Sequence, residues 1–332
     1  MTQTILLKNR PIGKPSVTDF KFVTDESEMT ISDGELLLET TYVSVDPYLR
    51  GRMSDAKSYV PPFELNKPVH SGVIAKVLAS KNENFELGDF VSGMLDWKTK
   101  QVATGEGLLK VAASKAPLSA YLGVLGMTGL TAYLGLTQIG KPKAGETLVV
   151  SGAAGAVGSV VGQIGKLLGL RVIGIAGSDE KIAMLTSKFG FDAGINYNSS
   201  TDIRADIAKA TPNGVDIYFD NVGGPISDAV LFNINKFARM IICGAIALYN
   251  NTTLPQSVSV QPFLVKNSAL MQGFIVSNYA DKFPEAMKQL SSWLTEGKLT
   301  YTETIVEGFE NIPNAFIDLF DGKNKGKMIV KI

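Results

Sequence analysis

Two periodicities divide the chain. Up to about residue 125 the apolar positions come in short β-type runs broken by turn residues, as at 34–45, 69–79 and 89–94. Strands that short, with Gly and Pro between them, predict a small barrel or sandwich. Beyond residue 125, strands alternate with helices. Residues 147–150 read as a buried strand, 157–168 as a helix and 171–176 as the next strand. A second helix is expected over 181–189, with Asp179 and Glu180 near its N-terminus, where the helix dipole favours acids. Further strands are expected at 216–220 and 239–244, and a helix over 284–297. This alternation predicts an α/β domain with a parallel, doubly wound sheet. From Tyr301 the pattern returns to short strand-like runs that end in 326–332. Such a tail can complete the N-terminal domain and make it discontinuous. Loops are expected over 52–68 and 249–261.

The strongest local signal is the strand at 148–150 running into Gly152, Gly155 and Gly158, followed by an apolar helix. Glycines let a backbone turn approach a pyrophosphate, and the helix N-terminus supplies free N–H groups and positive potential. The spacing is GxxGxxG, which meets the general dinucleotide pattern only approximately. A glycine-rich turn that merely packs a helix on a sheet is the competing reading.

The next strand sharpens it. An NAD site has an acid at that strand's tip to hold the adenosine ribose 2′-hydroxyl. Here the tip is Ile175-Ala176-Gly177-Ser178, without an acid, and Lys181 follows. A missing carboxylate and a nearby cation suit a 2′-phosphate, hence NADP(H). Asp179 and Glu180 stand as alternative candidates for the acid, or as ordinary first-turn residues of the helix.

Composition narrows the chemistry. The chain has one cysteine, Cys243, and one histidine, His70, too few for a catalytic zinc held by Cys and His ligands or for a structural zinc lobe. No metal is expected. A Ser-His-Asp triad would have to use His70, and no G-x-S-x-G elbow accompanies it. Cys243 follows an apolar run and reads as a small buried residue. Lys+Arg and Asp+Glu balance at 32 each, which gives no electrostatic case for nucleic acid or anionic membranes. No run of about 18 apolar residues suggests a membrane span. The N-terminus lacks a signal-peptide pattern, so a cytoplasmic protein is expected.

Across nearly its whole length the chain resembles the zinc-independent medium-chain dehydrogenase/reductase family of leukotriene B4 12-hydroxydehydrogenase/prostaglandin reductase, the plant 2-alkenal (double-bond) reductases and the curcumin-type reductases. The resemblance rests on Val45-Asp46-Pro47-Tyr48-Leu49-Arg50-Gly51-Arg52-Met53, Met127-Thr128-Gly129-Leu130-Thr131-Ala132-Tyr133, and Ala153-Ala154-Gly155-Ala156-Val157-Gly158-Ser159. It continues through Gly177-Ser178-Asp179-Glu180-Lys181, Tyr218-Phe219-Asp220-Asn221-Val222-Gly223-Gly224, Cys243-Gly244-Ala245-Ile246 and Gly326-Lys327.

The resemblance implies a GroES-like β-rich domain over 1–125, completed by 299–332, and a Rossmann NADP-binding domain over 126–298. By matching positions, Gly155, Ala156, Val157 and Gly158 would face the pyrophosphate, with Lys181 and Tyr197 on the 2′-phosphate. Asn221, the segment from Cys243, Gly244, Ala245 and Ile246 to Tyr249, then Phe274, Ile275, Val276 and Asn324 would line the rest of the cofactor, with Met127 and Thr128 near the nicotinamide. The implied reaction is NADPH-dependent 1,4-reduction of an α,β-unsaturated ketone or aldehyde, a small-molecule substrate, and a homodimer is implied as well.

Such a reaction needs stabilisation of the developing enolate oxygen and a proton for the α-carbon. Tyr249 matches the family's candidate tyrosine, although Ala247-Leu248 stands where the family often has Ser-Thr or Ser-Gln. Tyr48 is a second candidate, with packing as its bland alternative. A quinone oxidoreductase and a non-catalytic NADPH-binding protein remain competing readings.

Overall fold

The computed structural model describes residues 1–332, and each periodicity becomes a sheet of its own kind. Two units result: residues 1–123 with 304–323 and 328–332, and residues 124–303 with 324–327.

The second unit holds a six-stranded sheet. Its strands, in chain order, are Thr147–Ser151, Arg171–Ala176, Ala193–Asn196, Val215–Asp220, Ile234–Ile242 and Leu270–Gly273. Every neighbouring pair is parallel. Numbered along the chain, they lie in the order 3-2-1-4-5-6, the doubly wound order of a dinucleotide-binding sheet. Thr147–Ser151 is buried at every position. That is why its sequence is a continuous apolar run rather than an alternating one. The order reverses between Thr147–Ser151 and Val215–Asp220, which pair directly. A crevice opens at the carboxyl ends of strands at such a reversal.

The boundaries differ from expectation for local reasons. The second helix is Asp179–Ser187, so Asp179 and Glu180 lie inside it. The Ser178 side chain accepts from the Lys181 N–H at 3.3 Å and caps the helix two residues earlier than periodicity suggests. The helix after the glycine turn is Gly158–Leu167. Ala193–Asn196 and Leu270–Gly273, four residues each, are too short to stand out as strands in the sequence. The tail is not purely strand-like. Ile312–Asp318 is a helix, and Ile312, Ala315, Phe316 and Leu319 are buried at i, i+3, i+4, i+7 spacing.

The first unit carries a sheet in the order Glu303–Glu307, Lys327–Lys331, Leu36–Ser44, His70–Ser80, Phe90–Asp96 and Leu109–Val111, with Lys100–Ala103 also paired to Leu36–Ser44. A separate two-stranded ribbon joins Thr2–Leu7 to Phe20–Asp25. The C-terminal strand enters antiparallel to Leu36–Ser44, pairing Ile329 with Ser44 and Val330 with Val43. The fold class is therefore α/β: a doubly wound parallel sheet together with a β-rich unit that includes the C-terminal strand.

No helix is long and apolar enough to cross a membrane.

The four residues 324–327 belong to the second unit. The Gly326 N–H donates to the Ala154 carbonyl at 2.8 Å, and Gly326 forms a parallel bridge with Gly155. The Lys327 N–H donates to the Thr302 carbonyl at 3.0 Å. Gly326 has φ +66°, and a Cβ there would lie 1.7 Å from the Thr302 carbonyl oxygen. Only glycine meets both constraints. Gly326→Ala should therefore lose about 1–2 kcal/mol to the left-handed backbone and about 1–3 kcal/mol to the clash. Thermal or urea unfolding should show a lowered midpoint, whereas Gly51→Ala, with open space around its Cβ position, should stay within about 0.5 kcal/mol of wild type.

Candidate dinucleotide and active site

At the strand reversal one side-chain oxygen organises the backbone. Asp220, 2% exposed, ends the fourth strand of the parallel sheet. Its Oδ1 accepts from Ser151 Oγ, Tyr218 Oη, the Val222 N–H and the Gly223 N–H, each at 2.9 Å. A carboxylate buried this deeply needs that many donors. The Asp220 carbonyl accepts the Cys243 N–H at 2.8 Å and the Gly244 N–H at 3.1 Å.

Asn221 continues the clamp. Its N–H donates to Ser151 Oγ at 3.0 Å and its Nδ2 donates to the Ser151 carbonyl at 2.8 Å. The ends of Thr147–Ser151 and Val215–Asp220 are thus bound through side chains as well as through the sheet. The asparagine has its amide donor in this clamp, and its Oδ1 is the acceptor it offers elsewhere.

The segment from Cys243 to Tyr249 folds back on this platform. The Ile246 N–H donates to the Asn221 carbonyl at 3.4 Å and the Ala247 N–H to the Val222 carbonyl at 3.1 Å. Tyr249 then returns over Gly244: the Ala245 N–H donates to Tyr249 Oη at 3.1 Å. A phenol whose oxygen accepts one N–H still has its own proton to donate. Burial raises the Tyr249 pKa, and the Ala245 N–H opposes that rise. Cys243 is half-buried, and desolvation pushes its thiol pKa up to about 12, which disfavours a nucleophilic thiolate.

The glycine turn lies beside Asn221. A Cβ on Gly152 would meet Asn221 and Val222 side-chain atoms at 3.4 Å. A Cβ on Gly158 would lie 2.4 Å from the Gly152 carbonyl oxygen, so the helix can start this close to the strand only without a side chain there. Gly155, Ala156 and Val157 are half-buried and open Gly158–Leu167. The Gly155 N–H donates to the Gly152 carbonyl at 3.0 Å and the Ser159 N–H to the Gly155 carbonyl at 3.1 Å, so the amides the turn offers are those of 156–158. Asn324, in the returning segment, donates from Nδ2 to the Gly326 carbonyl at 2.8 Å.

Tyr197 reaches the tip of the second strand, and Lys181 lies in the first turn of the helix that follows. A Cβ on Gly177 would lie 2.7 Å from Tyr197 Oη, which places the phenol over the acid-free tip. Burial lowers the Lys181 pKa, with Glu180 opposing and Lys325 reinforcing that shift.

Thr128 is the second residue of the helix Met127–Leu134 and is 4% exposed. Its Oγ1 is buried and has no hydrogen-bond partner within the protein. Buried hydroxyls are seldom left so, and a ligand donor or acceptor at that point would satisfy it. Met127 beside it is 41% exposed. Phe274 stacks edge-on against Phe219 at 6.4 Å, and Val276 packs with Leu130 and Leu134. Ile275 between them is half-buried. Amides at the turn, cations at the strand tip and an orphan hydroxyl on the Met127 helix fit a dinucleotide.

Two residues lie in the other unit. Tyr48 precedes the helical turn Leu49–Arg52 and packs on the apolar core there. Burial raises its pKa, and Asp46 adds to the rise. His70 sits edge-on to Phe63 at 5.0 Å. Nowhere do three His, Cys, Asp or Glu side chains gather as metal ligands would.

Sequence reasoning named Asp220 only as part of a motif and gave Ser151 and Lys325 no role. The signal for Asp220 was present: an acid ahead of Asn-Val-Gly-Gly is positioned to accept the amides of that tight turn. Lys325 carried no such signal, because its partner is 145 residues away.

Residues 3–111 match the model described as the N-terminal domain of oxidoreductase, and residues 156–292 match the one described as zinc-binding dehydrogenase. YfmJ of Bacillus subtilis (strain 168) is 55% identical over 332 residues, covering 99% of this chain and 97% of that protein. The NADPH-dependent curcumin reductase of Escherichia coli (strain K12) is 42% identical over 332 residues, covering 98% and 96%. The crystal structure of CurA from Vibrio vulnificus in complex with NADPH superposes with a TM-score of 0.93 at 44% identity, covering 99% of this chain and 98% of that one. The chain belongs to the medium-chain dehydrogenase/reductase family that contains these enzymes, the prostaglandin reductases and the 2-alkenal reductases.

Proposed function

We propose that the chain uses NADPH to reduce the carbon–carbon double bond of α,β-unsaturated ketones and aldehydes. The observation that carries this reading is Tyr249, a half-buried phenol whose oxygen is held by the Ala245 N–H on the platform built by Asp220 and Asn221. It is supported by the glycine turn beside that platform, by Lys181 and Tyr197 at the acid-free strand tip, and by relatives named for curcumin, prostaglandin and 2-alkenal reduction.

NADPH, when bound, supplies the hydride that adds to the β-carbon. The chain's task is then the charge that develops on the carbonyl oxygen. Tyr249 meets it by donating its O–H to that oxygen as a pre-set donor. The Ala245 N–H keeps the phenol oriented, so little reorganisation accompanies the charge shift. Reprotonation at the α-carbon is completed by the Tyr249 hydroxyl or by water reaching it. Lys181 and Tyr197 hold the 2′-phosphate, and the turn 155–158 faces the pyrophosphate with the amides of 156–158. Thr128 uses its buried hydroxyl toward the nicotinamide end, near Met127. Phe274, Ile275 and Val276 give the apolar wall, and Asn324 supports the turn from the returning segment. Tyr48 is the second candidate donor to the substrate, and the protein acts as a cytoplasmic homodimer.

Following NADPH oxidation across alkenals, enones, curcumin-like dienones and quinones tests the reading. Conjugated carbonyls should turn over best; efficient turnover of quinones without enone reduction would point to a quinone oxidoreductase, and no turnover on any of them to a binding protein. Tyr249→Phe should lower kcat on an enone by at least about tenfold, the low end for acid–base assistance, while NADPH still binds by fluorescence titration.

The raised pKa of Tyr249 also sets a sign. An acid whose pKa is raised stays neutral, and so remains a donor, to higher pH. The alkaline fall in kcat should therefore lie above about 10, the ordinary tyrosine value, and a fall centred near neutrality would remove Tyr249 from the mechanism.

A further inference from the structure

We propose that Lys325 sets the preference for a 2′-phosphorylated dinucleotide by masking the carboxylate of Glu180 at the adenosine end of the site. The inference rests on the NADPH reading above and adds to it a residue outside the glycine turn and the strand tip.

The second strand ends without an acid, yet two carboxylates stand in the first turn of the helix that follows. Either is chemically able to accept the ribose 2′-hydroxyl of NADH and to repel a 2′-phosphate. Both are occupied. Asp179 Oδ1 accepts from Asn196 Nδ2 at 2.8 Å, which ties it to the neighbouring strand Ala193–Asn196. Glu180 Oε1 lies 2.6 Å from Lys325 Nζ.

Their surroundings differ. Asp179 is held by a neutral amide from its own side of the sheet. Glu180 is held by a cation that arrives from the chain's far end, in the segment anchored when Gly326 donates to Ala154 and bridges Gly155. That anchor fixes where the lysine stem begins, so the pairing does not depend on a wandering tail. Lys325 is also close enough to Lys181 to reinforce the depression of its pKa. The result is a local balance: two cations, Lys181 and Lys325, against the carboxylates of Asp179 and Glu180, of which Glu180 is paired with Lys325.

Removing Lys325 changes the balance twice. One positive charge disappears, and the Glu180 carboxylate is released to face an incoming phosphate. NADPH should bind more weakly, and NADH should gain an acceptor for its 2′-hydroxyl. If Lys325 works through Glu180, removing that carboxylate as well should return most of the preference. An exposed ion pair that only stabilised the fold would move both dinucleotides together.

The test measures binding of 2′,5′-ADP and 5′-AMP by calorimetry, and of NADPH and NADH by fluorescence, for wild type, Lys325→Met, Lys325→Arg and Lys325→Met/Glu180→Gln. The wild type should favour the 2′-phosphorylated member of each pair. Lys325→Met should reduce that ratio roughly fivefold, the upper end for an exposed charge pair. Lys325→Arg should keep it, and the double variant should recover most of it. An unchanged ratio in Lys325→Met, an equal loss for both ligands, or no recovery in the double variant overturns the proposal while leaving the NADPH reading in place. A wild type with no preference for 2′,5′-ADP over 5′-AMP would remove both.

Discussion

The four hydrogen bonds received by Asp220 Oδ1 are the constraint on which the site depends. A carboxylate that is 2% exposed would be strongly unfavourable if unpaired. Two of its donors, Ser151 Oγ and Tyr218 Oη, belong to the paired strands that flank the reversal in strand order. The other two are the consecutive amides of Val222 and Gly223, so the chain must turn immediately after the strand. That turn fixes Asn221, which reaches back to Ser151 with both its backbone and its side chain. The carbonyls of Asp220, Asn221 and Val222 then receive the amides of Cys243, Gly244, Ile246 and Ala247. Tyr249 reaches its place only because that ladder has brought Ala245 beneath its hydroxyl.

Different parts of the site are built from different materials. The glycine turn uses backbone: it needs glycine at Gly152 for its φ of +57° and at Gly158 because the Gly152 carbonyl occupies the space a Cβ would take. Backbone amides at a helix start recognise charge and shape and do not distinguish one dinucleotide from another. On the next strand and helix the material is side chains: Tyr197 over Gly177, Asp179 tied to Asn196, and Glu180 paired with Lys325. At Tyr249 it is a phenol whose oxygen is held by an amide. Each part has its own physical test, and changing one leaves the others' geometry supported by separate bonds.

Much of this was legible along the chain where the signal is local. The buried strand Thr147–Ser151, the glycine turn and the acid-free tip at Gly177 all follow from adjacent residues. Strand–helix alternation gave the parallel sheet, since a continuous apolar run suits a strand covered on both faces. What escaped was short or distant. Leu270–Gly273 and Ala193–Asn196 have too few residues for a period to emerge. The helix Ile312–Asp318 lay inside a tail read as strands, although its buried positions carry helical spacing. Ser178 moved a helix start by two residues through one cap. Among site residues, Tyr249 and Asn221 came from a family resemblance, and the bonds that give them a physical role are tertiary.

The returning segment 324–327 connects these levels. Its backbone bonds to Ala154 and Thr302 are required by packing, and they explain why Gly326 must be glycine. Those same bonds place the residue before it, Lys325, opposite Glu180. A position chosen by steric need thus delivers a charge to the adenosine end of the site. Side chains at such positions are free to vary so long as the backbone anchor persists, because the anchor uses amides and carbonyls that every non-proline residue has. The Lys325 side chain can therefore be changed without disturbing either the glycine turn or the Asp220 hub, each of which is satisfied by its own donors and acceptors.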